Sequence, residues 1–107
     1  HKYLDKLDSN CSICGEPIKD KPSIDHVIPW SYMYSDDLWN LVYTHKGCNS
    51  SKSNRIVGES EIGKLENRNK KLLDVLNNLG IKDKHTEELQ LSIKRNFVRK
   101  FWIGFKG

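Results

Sequence analysis

The chain has 107 residues, 36% of them hydrophobic and 30% charged, with a formal net charge of +4 and a pI near 9.0. That length carries one domain with a small core, and domains of this size often need a staple to complete it. No apolar run approaches the ~20 residues of a membrane span, so no membrane partner is expected, and the positive balance suits a phosphate-bearing partner as readily as it suits a merely basic protein.

The opening stretch His1-Lys2-Tyr3-Leu4-Asp5 is mixed polar and has no signal-peptide pattern. It does not begin with Met, so a processed product or a piece of a larger parent polypeptide is expected. Tyr3, Leu4 and Leu7 fall at helical spacing and predict a short helix within residues 1–10, lying against the domain. Residues 11–22 read as a knuckle and loop punctuated by Gly15, Pro17 and Pro22. The β-branched run from Ser23 to Ile28, bounded by Pro22 and Pro29, predicts a strand. Pro29 ends it because proline cannot continue the hydrogen-bond ladder. Trp30 to Asp37 is a loop with aromatic anchors, Leu41 to Thr44 a second short strand, and Cys48 to Arg55 a short helix.

From Ser60 to Leu79 the apolar positions Ile62, Leu65, Leu72, Leu73, Leu76 and Leu79 recur with helical period. Ser60 is a candidate N-cap and Gly80 suits the residue past the end. A second helix is expected from about Thr86, with Glu87 and Glu88 favouring the dipole of its first turn. Leu89, Ile93, Phe97 and Phe101 follow at four-residue steps. The expectation is a core over residues 1–57 and a helical hairpin over 58–107 packed on it, within one domain.

Two ligand-type pairs stand out: Cys11-Ser12-Ile13-Cys14 and His45-Lys46-Gly47-Cys48. Either pair alone is weak, since Cys-x-x-Cys also serves redox chemistry and His45 could be an ordinary strand-end residue. Together they use all three cysteines, and three thiolates plus one imidazole complete a tetrahedral zinc shell. An odd thiol count argues against a disulfide scaffold. It points to a reducing compartment, most simply the cytosol. Four protein ligands leave no open position, so such a zinc is structural and chemistry must come from elsewhere.

Between the pairs lies Asp25-His26. Histidine titrates near neutrality and suits a general base. Asp25 offers an oxygen ligand to a hard divalent cation. Adjacent strand residues point to opposite faces, and Asn49 on the expected helix can return an amide oxygen to the same cation. Together these supply what phosphodiester hydrolysis requires. Read blandly, Asp25 is a turn residue, His26 a satisfied strand histidine, and Asn49 a helix cap. Lys52 and Arg55, about one turn apart, suit phosphate contact. Lys94, Arg95, Arg99 and Lys100 form a basic band on the last helix that is either a solvated face or a DNA contact. Tyr32 and Tyr34 stay open between base stacking and packing. Packing is favoured for Trp39.

The run Ile24-Asp25-His26-Val27-Ile28-Pro29, then Asn40-Leu41, then Cys48-Asn49-Ser50-Ser51-Lys52, with the flanking zinc pairs, resembles the HNH endonuclease family over residues 11–55. The resemblance implies an α+β fold with a ββα-metal core, a structural zinc site and metal-dependent cleavage of DNA. It implies His26 as general base, and Asp25 and Asn49 as ligands of a catalytic magnesium or manganese. Asn40 would tie the loop that orients His26, Lys52 would contact phosphate, and Cys11, Cys14, His45 and Cys48 would hold the zinc. Two positions depart from the common pattern. Asn49 stands where many members carry His, a variant also found in the nuclease domain of CRISPR effectors, and His45 stands where the second knuckle usually has Cys. The rival functions are a non-catalytic zinc module that binds nucleic acid, and a protein-docking domain built on the C-terminal hairpin. A homodimer also stays open, because one such site cuts one strand.

Overall fold

Proline brackets and β-branched residues produce one antiparallel hairpin. Strand β1 (Ser23–His26) pairs with β2 (Leu41–Thr44) in the register Ser23–Thr44, Ile24–Tyr43, Asp25–Val42 and His26–Leu41. The structure, a computed structural model, describes residues 1–52 and 57–107, with residues 50–52 described by backbone course alone. The expected β1 is shorter by two residues, because the Val27 and Ile28 amides leave the ladder and bond Asn40 instead. The fold class is as expected: α+β, with a two-stranded sheet, a helix after it and a candidate metal site.

The connection between the strands is not all loop. Residues Trp30–Met33 form the short helix α1, with Pro29 at its N-cap, where the fixed proline φ suits a helix start. It ends on Tyr34, whose φ of 55° is left-handed. A 3-10 turn over Leu38–Asn40 then feeds β2. After β2, helix α2 (Lys46–Lys52) packs against β1. The start of the chain contributes a short 3-10 helix at Leu4–Lys6, within the stretch where the spacing predicts a short helix.

Helix α3 (Glu59–Asn78) buries Ile62, Leu65, Leu72 and Leu76, the stripe predicted from spacing. Its cap is Gly58 and not Ser60; the Gly58 N–H donates to the Glu61 carboxylate at 3.0 Å. Leu79 is 57% exposed, because the helix has already closed. Gly80 (φ 73°) donates to the Asn77 carbonyl and Ile81 to that of Leu76, a paired closure that needs a left-handed residue at position 80.

The second arm of the expected hairpin is two helices. Asp83 caps α4 (Lys84–Lys94) by accepting from the His85 and Thr86 amides, and Asn96 (φ 54°) separates α4 from α5 (Phe97–Lys106). The basic band is therefore divided between two helices. Arg99 within it is committed to Glu59 and Glu66 at 2.8–2.9 Å, fastening α5 to α3. Trp102 donates to the Val57 carbonyl at 3.0 Å, and Trp39 stacks on Phe101 with centroids 5.6 Å apart. Tyr32 of α1 meets Phe105 edge-on, its hydroxyl against Gly104, where an added Cβ would lie 2.6 Å away.

No helix among the described residues is long and apolar enough to cross a membrane.

Candidate metal centre and active site

The knuckle hangs on β2 through the Ser12 N–H, which donates to the Tyr43 carbonyl at 3.0 Å. Its turn closes by Gly15 N–H to Cys11 O at 2.9 Å, and Gly15 sits at φ 82°, a conformation glycine adopts without strain. Across from it, His45 leaves β2 and Cys48 lies in the first turn of α2. The ligating atoms of Cys11, Cys14, His45 and Cys48 all lie within 4.8 Å of one another. A tetrahedral zinc with Zn–S bonds of about 2.3 Å puts its ligands about 3.7 Å apart, so the group has the right dimensions. Among the described residues, this is the group of three or more His, Cys, Asp or Glu donors drawn close enough to hold an ion.

His45 points Nδ1 at the sulfurs, 3.4 Å from Cys14 Sγ and 3.8 Å from Cys48 Sγ. Its Nε2–H donates to the Pro17 carbonyl at 3.1 Å, which leaves the Nδ1 lone pair for a metal. The thiols divide sharply. Burial pushes Cys11 up, but the backbone donors of Cys14, His45 and Ile13 and the Cys14 thiol outweigh it and bring Cys11 down to about 6. Burial, then the bonds and charges of Cys11 and Cys14, push Cys48 up to about 11. Thiolates crowded in this way resist joint ionisation, and a dication relieves that repulsion. The donor set therefore fits zinc.

Asp25 and His26 occupy the last two positions of β1, both half-buried. Strand alternation sends their side chains to opposite faces: Asp25 shares a face with Val42, and His26 with Leu41. Asn49, half-buried, rides on α2, which packs against β1. Asn40 is 1% exposed and grips Ile28 twice, accepting its N–H at 2.8 Å and donating to its carbonyl at 2.9 Å. With Val27 N–H on the Asn40 carbonyl at 3.0 Å, the chain leaving His26 is pinned to the chain entering β2.

Two elements of the site were not visible in the sequence. His26 Nε2 donates to Asp36 Oδ1 at 2.7 Å, from across a ten-residue span with no motif spacing. The other is a tie from α3. Asn69 Nδ2 donates to the Trp39 carbonyl at 2.9 Å, and Arg68, paired with Asp8, reaches the Leu38 carbonyl at 3.4 Å. Lys52 closes α2 with only its backbone described, and Arg55 lies outside the described residues. Trp39 is core, 3% exposed, whereas Trp30 and Tyr34 pair edge-on and stay exposed.

Residues 11–57, a little under half the chain, match the family model described as HNH endonuclease. The segment is thus similar to that family, and its Cys3His group fits the zinc-stapled subtype. No curated protein matches the chain.

Proposed function

We propose, from the HNH match over residues 11–57, that this chain is a metal-dependent endonuclease that hydrolyses DNA phosphodiester bonds. The observation that carries the reading is the placement of Asp25-His26 at the end of β1, with α2, the helix that carries Asn49, packed against that strand inside the matched segment. Residues 1–57 are read as the nuclease core and residues 58–107 as its helical brace.

His26 is the general base. It takes a proton from a water, whose oxygen attacks phosphorus; the P–O3′ bond breaks, the leaving O3′ takes a proton from solvent water, and the products are a 5′-phosphate and a 3′-hydroxyl. Asp25 and Asn49 offer one charged and one neutral oxygen, the hard donors that magnesium or manganese prefers. Such a cation, when bound, supplies charge stabilisation at the leaving oxygen. Asn40 fixes the backbone through Ile28, so the His26 ring has a defined origin. Lys52 and Arg55 are assigned to backbone phosphates. The Cys3His zinc is structural, since its four protein ligands fill the shell.

The test is nicking of supercoiled plasmid in magnesium or manganese, with EDTA as the control. His26→Ala should lower the rate by about 10²–10⁴-fold, the usual contribution of a positioned base. Asp25→Ala should raise the metal concentration needed. Unchanged cleavage by His26→Ala removes the mechanism, and DNA binding without cleavage in any divalent metal favours a non-catalytic zinc module.

A further inference from the structure

We propose that Asp36 is a positioning residue for His26: it accepts the Nε2–H and so directs the ring's basic lone pair to Nδ1. The assignment rests on the nuclease reading for its consequence, but its geometry stands apart from it.

His26 Nε2 and Asp36 Oδ1 are 2.7 Å apart. A carboxylate oxygen only accepts, so the ring nitrogen facing it carries the proton, and a neutral imidazole with its proton on Nε2 has its lone pair on Nδ1. The contact is exposed on the Asp36 side, whose side chain is 75% accessible, against 24% for His26. An exposed pair contributes little to stability. Its value lies in choosing between two tautomers.

The backbone on both sides of Asp36 is built to hold it there. Before it, the Tyr34 N–H returns to the Trp30 carbonyl at 2.7 Å and Tyr34 turns left-handed, a conformation uncommon for a bulky residue. After it, Ser35 Oγ donates to Asp37 Oδ2 at 2.9 Å, and Asn40 N–H to the Asp37 carbonyl at 2.9 Å. Asn40 in turn grips Ile28, two residues past His26. Base and carboxylate thus sit on one loop that is cinched at its neck. The Tyr34 conformation redirects the chain so that Asp36 faces back toward β1.

The chemical consequence follows from charge. As Nδ1 takes the water proton, the ring becomes an imidazolium, and the carboxylate on Nε2 meets a positive charge that was absent in the ground state. That interaction strengthens along the reaction and therefore favours the transition state.

The experiment uses the full 107-residue chain. Long-range ¹H–¹⁵N spectra of the zinc-loaded protein, without magnesium or manganese, report which His26 nitrogen carries the proton. Cleavage kinetics in magnesium run in parallel. The parent should show the Nε2–H form. Asp36→Ala should mix the tautomers and lower kcat about ten-fold with KM for DNA and for magnesium unchanged, in the range seen for residues that orient a site from behind. Asp36→Asn keeps an acceptor and should restore the Nε2–H form and most of kcat. Asp20→Ala, which removes an exposed charge outside this loop, should leave the tautomer alone.

An Asp36→Ala protein with the parent tautomer and parent kcat overturns the proposal. So does a loss confined to magnesium affinity, which would make Asp36 a cation ligand, or an equal effect from Asp20→Ala. If the parent cleaves nothing while the tautomer still follows Asp36, the nuclease reading fails and the positioning contact stands.

Discussion

The carboxamide of Asn69, in the middle of α3, donates to the backbone carbonyl of Trp39 at 2.9 Å, one residue before Asn40. A helix outside the matched segment therefore reaches the residue that pins the chain leaving His26. Asn69 is 1% exposed. Asn69→Leu leaves the Trp39 carbonyl buried without this donor and should cost about 1–3 kcal/mol. Urea unfolding should show the loss, and plasmid nicking should fall with it at temperatures where the variant stays folded. Full activity at full stability would show that α3 does not steady the site.

Asn40 is a stricter case, because it both accepts from and donates to Ile28. Asn40→Asp keeps the acceptor but sets a second oxygen against the Ile28 carbonyl. A loss of about 2–3 kcal/mol is expected from an unsatisfied buried pair. Cleavage should fall further than the folded fraction does, and circular dichroism beside the nicking assay separates the two effects.

Zinc removal should unfold the knuckle and expose the core beneath it. The binding free energy of such a site is folding free energy, on the order of 10 kcal/mol in small zinc modules. A strong zinc chelator should collapse the thermal transition; added zinc should restore it, and magnesium should not. Retention of the parent transition after complete chelation would contradict the staple.

Asp8 and Arg68 form a pair in which burial dominates. It raises the Asp8 carboxyl against the opposing pull of Arg68, and it lowers the Arg68 guanidinium despite Asp8. Removing one partner strands the other, so Asp8→Ala should cost about 3 kcal/mol. Arg68→Met should then cost less in the Asp8→Ala background than in the parent. A double-mutant cycle measures the difference, and strict additivity would mean the two charges are not coupled.

Asp83 gives a pH signature. The Tyr3 hydroxyl first, then the Thr86 and His85 amides and the His85 charge, hold its carboxyl below the ordinary carboxylate value, against the opposing effect of burial. A group lowered on folding stabilises fully above its unfolded value, about 4. That stability is lost as pH falls through the lower folded value. Thermal melts below about pH 4 should therefore decline more steeply for the parent than for Asp83→Asn, which caps α4 without ionising. Parallel declines would exclude Asp83 as the source.

The sequence made the hairpin, the four soft ligands, the α3 stripe and the Gly80 stop legible, because each is a local pattern with a local cause. Phe97 and Phe101 hid the break at Asn96. Their four-residue steps continue those of Leu89 and Ile93 across the end of α4, and both rings, on α5, pack on Trp39. The clue was Asn96 itself, a residue type that tolerates the left-handed turn. Asp36 and Asn69 were not legible, since their partners lie 10 and 30 residues away and tertiary packing alone brings them together.

The bare backbone at Gly104 carries one more implication. Any side chain there would push on the Tyr32 phenol, six residues past the candidate base. Transplanting residues 11–57 onto a foreign scaffold would therefore require an equivalent notch, or a smaller aromatic at 32, before the graft could seat.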